Sequence, residues 1–100
     1  MLVHINGFPG VGKLTIGRIL AERIGGKLLD NHSVYNIAFA LTEFKSPLFY
    51  DTVRASRRLA YDLIADLPVS VPVVLTNAHR ADSTWGNECW DDAIALAERR

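Results

Sequence analysis

Residues 7–15 read Gly-Phe-Pro-Gly-Val-Gly-Lys-Leu-Thr, and this run constrains the fold more than any other part of the chain. Gly7 and Gly12 bracket four residues, and Lys13 follows directly. Glycines allow backbone conformations closed to residues with a Cβ and let the main chain approach a bound group closely. Successive N–H groups in such a loop converge on one concavity that suits a phosphate. A helix starting here adds its unpaired N–H groups and the positive end of its dipole. Lys13 adds a full positive charge. Leu2–Asn6 before the run is strand-like, and Leu14–Ile24 after it has a helical pattern with Ile16, Ile19, Leu20 and Ile24 on one face. Strand, glycine loop and helix in that order is the context this motif requires. Gly7, Phe8, Pro9, Gly10, Val11, Gly12, Lys13, Leu14 and Thr15 are therefore the candidate nucleotide-binding residues.

The loop departs from the common pattern at one position. A Ser or Thr after the lysine supplies a hydroxyl to Mg²⁺, but here that residue is Leu14, with the hydroxyl one step later at Thr15. Neighbouring side chains on a helix diverge by about 100°. Thr15 is therefore no simple substitute for a metal ligand.

The rest of the chain alternates strands and helices. Gly25-Gly26 stops the first helix, and Lys27–Leu29 forms a short strand ending at Asp30. Asn31 or Ser33 caps a helix expected to reach Phe44, with Val34, Ile37, Ala38 and Leu41 inward. Ser46 caps the next helix, with Pro47 in its first turn, and Pro68 closes it. Phe49, Val53, Leu59, Leu63 and Leu67 are its expected apolar positions. Val71–Leu75 reads as a buried third strand, followed by a polar connection. A final helix is expected from Cys89 to Arg100, with Ala93, Leu96 and Ala97 inward. Such alternation implies an α/β fold with a parallel sheet and flanking helices.

The chain has 100 residues, which suits one small domain spanning 1–100. The formal net charge is zero, so no nucleic acid and no anionic membrane is expected as a bulk electrostatic partner. Cys89 is the sole cysteine, which excludes an internal disulfide and suits a reducing compartment. The apolar stretch after Met1 is too short for a secretory leader, and no run approaches a membrane span. The cytoplasm is the expected location.

Gly7–Thr15 followed by a Leu-Leu-Asp strand end resembles the P-loop small-molecule and nucleotide kinases, among them shikimate kinase, gluconate kinase, adenylate kinase and chloramphenicol phosphotransferase. The Gly-Lys-x-Thr form is the one found in adenylate kinase and its relatives. The resemblance implies a P-loop NTPase-type sheet, ATP and Mg²⁺ as cofactors, and a small-molecule acceptor of the γ-phosphoryl group. It implies catalytic roles for Lys13 and Asp30, with Asp30 holding the metal through water. In shikimate kinase a second acid stands two residues later; this chain has His32 there. The helical stretch 31–67 corresponds to an acceptor-binding insertion, in which His32, Arg54 and Arg58 are candidate substrate contacts. Arg57 lies beside them. Asp30 has a competing role as a helix cap, and the arginines can instead pair with Asp51 or Asp62.

The third strand lacks the acid that P-loop proteins commonly place at its end. Thr76 and Asn77 stand there, and Arg80 follows in the next loop. Thr76 can hydrogen-bond a nucleophile or a metal-bound water but carries no charge. Trp85 and Trp90 read as packing residues. Arg99 and Arg100 close the sequence inside a helical pattern without a cap, and a three-stranded sheet has an exposed edge. Both features read as the N-terminal part of a longer design, or as an edge through which a homodimer forms. A nucleotide-binding module or an ATPase without transfer activity is the alternative function.

Overall fold

A computed structural model describes residues 1–7, 12–78 and 82–100. Phe8, Pro9, Gly10 and Val11 of the loop, and Arg80, lie outside the described residues. The elements run β1 (Leu2–Asn6), α1 (Lys13–Ile24), β2 (Lys27–Leu29), α2 (Asn31–Leu41), α3 (Pro47–Asp66), β3 (Val73–Asn77) and α4 (Thr84–Arg99). The three strands form one parallel sheet in the order β1-β3-β2. This is the expected α/β arrangement.

β3 is the middle strand, and all its residues are buried. A run such as Val-Val-Leu suits a strand covered on both faces. Its alternating side chains serve two layers. Val74 and Thr76 face α1, where Gly17 lets the helix come close. A Cβ on Gly17 would lie 3.0 Å from Thr76 Cγ2 and 3.1 Å from Leu28 Cδ1. On the opposite face, Val73 and Leu75 join Tyr61 and Ile64 of α3 and Leu96 of α4 in the main core. A second core holds the α2–α3 pair together through Val34, Ala38, Phe49 and Val53.

Local signals account for most element ends. Gly25 caps α1 with φ 66°, a left-handed conformation that glycine takes without strain. Ser46 Oγ accepts from Phe49 N–H at 3.1 Å, with Pro47 opening α3. The third strand begins two residues later than its apolar run suggests. Pro72 has no N–H to give, and Val71 N–H turns back to Pro68 O at 2.9 Å. Pairing therefore starts at Val73 and carries Thr76 and Asn77 into the sheet. The last helix starts at Thr84, well before Cys89, because Ser83 Oγ caps Gly86 N–H at 2.9 Å. α2 stops at Leu41, short of Phe44. Thr42 is extended there, and both its N–H and its hydroxyl bond Ala38 O.

Several expected inward faces are turned outward. Ile16 and Ile19 of α1 are exposed, and the buried residues are Gly17 and Ala21. Small residues let α1 lie close on the sheet, which rotates the isoleucines away. Ile37 and Leu41 of α2 are likewise exposed, as is Ala97 of α4. In α3, Leu59 and Leu63 are 64% and 61% exposed, while Arg57 and Tyr61 take the inward positions. Among the described residues, no helix is long and apolar enough to cross a membrane.

Candidate functional site

The carboxyl ends of the strands converge on one side of the sheet, where ligands bind in open parallel folds. Gly7 N–H donates to Asn77 O at 3.2 Å and ties the start of the loop to the end of β3. Gly12 re-enters the described chain with φ 82° and opens α1, its carbonyl accepting from Ile16 N–H at 3.0 Å. Among the described residues no side chain caps α1, and its first turn has no acid. Its N-terminal N–H groups and dipole thus add to the charge of Lys13.

A cleft of about 370 Å³ lies at this point, lined by Gly12, Lys13, Leu14, Thr15, Asp30, Asn31, His32, Thr76 and Ala78. The end of β1, through α1, supplies the basic wall. The end of β2 supplies Asp30 and His32 opposite, and β3 supplies Thr76 between them. Six residues singled out from sequence, Gly12, Lys13, Leu14, Thr15, Asp30 and His32, therefore line one cleft. Gly7 stands beside it at the end of β1. Leu14 is half-buried and Thr15 is exposed.

Asp30 holds the cap position of α2 by its backbone, yet its carboxylate makes no capping bond. Instead Oδ1 accepts a hydrogen bond from Thr76 Oγ1 at 2.8 Å. The same hydroxyl accepts from Asn31 N–H at 3.2 Å. Thr76 thus satisfies the first N–H of α2 and engages the Asp30 carboxylate with one hydroxyl. This arrangement corrects the capping role considered for Asp30. The pairing of Thr76 with Asp30 could not be read from the chain, since 46 residues separate them.

The cleft fits a polyphosphate with its metal. An uncapped helix start, a left-handed glycine and a lysine favour phosphate oxygens. Among the described residues, no group of three or more His, Cys, Asp or Glu could cage a metal. Mg²⁺ commonly binds through one or two carboxylates plus phosphates and water, and Asp30 supplies one carboxylate.

Arg54 and Arg58 do not line this cleft. They line a second one of about 310 Å³ between α3 and α4, with Arg57, Asp62, Glu88, Asp92 and Arg99 among its other walls. Arg54 forks onto Glu88, from Nε to Oε2 at 2.8 Å and from Nη2 to Oε1 at 3.1 Å, and reaches Asp51 at 2.9 Å. These hydrogen bonds hold the Glu88 carboxyl below its usual range, the Arg54 bond contributing most. Arg57 is 3% exposed. It donates to Asp92, Glu88 and the Cys89 sulfur. Burial works against its charge, but Cys89 and Asp92 outweigh that and leave its pKa raised. Both guanidinium groups lie over the Trp85 ring, at 5.1 and 5.2 Å. Trp85 Nε1 donates to Tyr35 Oη at 2.9 Å, and burial pushes the Tyr35 phenol up to about 12. The cluster joins α2, α3 and α4, and Trp85 is a packing residue in it.

Below the cleft, Asn77 Nδ2 donates to His4 Nε2 at 2.6 Å, which places the ring proton of neutral His4 on Nδ1. Trp90 packs edge-on against the His4 ring at 4.8 Å. Burial lowers the His4 pKa.

No protein-family model matches the chain. Over 36 residues it is 50% identical to a cytidylate kinase of Shewanella sediminis (strain HAW-EB3). The match covers 36% of this chain and 16% of that kinase's length. The likeness supports a P-loop nucleotide kinase in general. It does not extend to the particular kinases that the loop resembles, nor to an acceptor.

Proposed function

We propose that this chain binds ATP through Gly7–Thr15 and serves the transfer of the γ-phosphoryl group to a small-molecule acceptor. One observation carries the reading: the cleft sets Gly12, Lys13 and the start of α1 against Asp30 and His32. Lys13 and the helix N-terminus stabilise phosphate charge, which is the main task in phosphoryl transfer. Mg²⁺ would be held by Asp30 through water and would supply charge neutralisation of the phosphates. Asp30 would also receive a proton from an acceptor hydroxyl, and His32, in the same cleft, would contact the acceptor. Arg54 is paired with Glu88 and Asp51, and Arg58 lines the separate cleft between α3 and α4, which leaves His32 as the acceptor-side residue to test first. The 50% identity to cytidylate kinase supports a kinase, and a nucleotide acceptor accords with that relative's name.

Nucleotide binding without transfer is the second reading. Thr76 and Asn77 at the end of β3, and Leu14 after Lys13, favour it, because none of them supplies charge to a metal.

The test is calorimetric titration of ATP into the wild type and Lys13→Ala. The proposal expects binding by the wild type and its loss in the variant. Equal affinity in the two proteins would refute it. ATP consumption that scales with added nucleoside monophosphate separates transfer from binding alone.

A further inference from the structure

The sheet places an uncharged residue where an acid would be expected, and the hydrogen bonds of Thr76 show what it does there. Thr76 is 1% exposed and sits on the central strand, facing α1. Its methyl is held under the helix, close to where a Cβ on Gly17 would stand. That contact fixes the side chain and hence the hydroxyl. A hydroxyl has one proton to give, and Thr76 gives it to Asp30 Oδ1 at 2.8 Å. Its lone pair takes Asn31 N–H at 3.2 Å.

The Asp30 carboxylate makes no capping bond to α2 and has Oδ1 engaged by Thr76, whose oxygen also takes the Asn31 N–H. The same hydroxyl holds one carboxylate oxygen, fixing the group at the wall of the cleft. Hydrogen-bonded partners of this kind orient metal-binding carboxylates and tune what they bind.

We propose that Thr76 is a positioning residue. Its hydroxyl sets the Asp30 carboxylate for the Mg²⁺–nucleotide complex and so replaces, at one remove, a carboxylate on β3 itself. The proposal rests on the reading of Asp30 and Lys13 given above, and its test keeps the two apart.

ATP affinity is measured by calorimetry with Mg²⁺ and with EDTA, for the wild type, Thr76→Val, Thr76→Ser and Lys13→Ala. Circular dichroism confirms the fold of each. Thr76→Val keeps the volume and loses the hydroxyl. It should cut the gain from Mg²⁺ about tenfold. Thr76→Ser keeps the hydroxyl and should retain most of that gain. In an Asp30→Asn background, Thr76→Val should have no further effect on it. Should Thr76→Val fail to fold, Thr76→Ala carries the same expectation. A full Mg²⁺ gain without the hydroxyl would overturn the proposal, as would a wild type whose ATP affinity ignores Mg²⁺. Lys13→Ala separates the two ideas. If it abolishes binding while Thr76→Val behaves as wild type, the role of Thr76 alone fails. If it leaves binding intact, the functional reading fails.

Discussion

Arg57 Nε donates to Asp92 Oδ2 across 2.8 Å, joining the middle of α3 to α4. The guanidinium is 3% exposed, whereas Asp92 reaches solvent at the rim of its cleft. A buried guanidinium is tolerable only while its donors are used. Asp92→Ala should destabilise the fold by about 1–3 kcal/mol, because it strands Nε of a buried cation. Arg54→Ala removes a more exposed fork and should cost less than about 1 kcal/mol. Urea denaturation of both variants checks this, and equal losses would mean that burial does not set the difference.

At Gly17 the helix α1 lies close against the sheet. An alanine in mid-helix normally gains about 1 kcal/mol over glycine, but the space here is already taken by Thr76 Cγ2 and Leu28 Cδ1. Gly17→Val should therefore destabilise by about 1–3 kcal/mol through overpacking. It should also weaken Mg²⁺-dependent ATP affinity by displacing Thr76. A stabilised variant, read from its denaturation midpoint, would show that α1 lifts off the sheet freely.

The limits of the sequence explain why these two sites escaped notice. Elements set by local chemistry were legible: β1, α1 and β2 occupy their expected spans, since glycines and the cap box them in. Gly12, Lys13, Asp30 and His32 meet in one cleft because a parallel sheet gathers strand ends on one side. Partnerships across long separations were not legible. An apolar count favours Leu59 and Leu63 as the inward face of α3. Arg57 displaces them because Glu88 and Asp92, more than 30 residues on, satisfy its charge. Thr76 looked like the residue after the strand, since nothing nearby shows that Pro72 delays pairing until Val73.

His4 gives the fold a defined pH response. Burial lowers its pKa from the ordinary 6.5, so the unfolded chain binds its proton more readily than the folded one. The stability tied to neutral His4 is fully present above pH 6.5 and is lost as pH falls from there through the lowered folded value. Protonation would also remove the Nε2 acceptor that Asn77 uses. Melting temperatures at pH 7.5 and 5.5 should fall for the wild type. His4→Phe should be less stable at pH 7.5 but show a flatter change between the two. An unchanged slope in the variant would assign the acid sensitivity to carboxylates instead.

Leu14 offers the sharpest test of how the cleft handles metal. It stands directly after Lys13 and, like Thr15, lines the cleft, but the more exposed Thr15 side chain leaves the helix about 100° further round. If Mg²⁺ binds beside Lys13 and Asp30, a hydroxyl at position 14 should become an added ligand. Leu14→Ser is then expected to raise the Mg²⁺ gain in ATP affinity on the order of tenfold, equivalent to one charge-assisted contact of about 1.5 kcal/mol. Thr15→Val should leave that gain unchanged, because its side chain is displaced from the same point. Calorimetry with and without Mg²⁺ reads both variants directly. A larger effect from Thr15→Val than from Leu14→Ser would place the metal on the Thr15 side and detach it from Asp30.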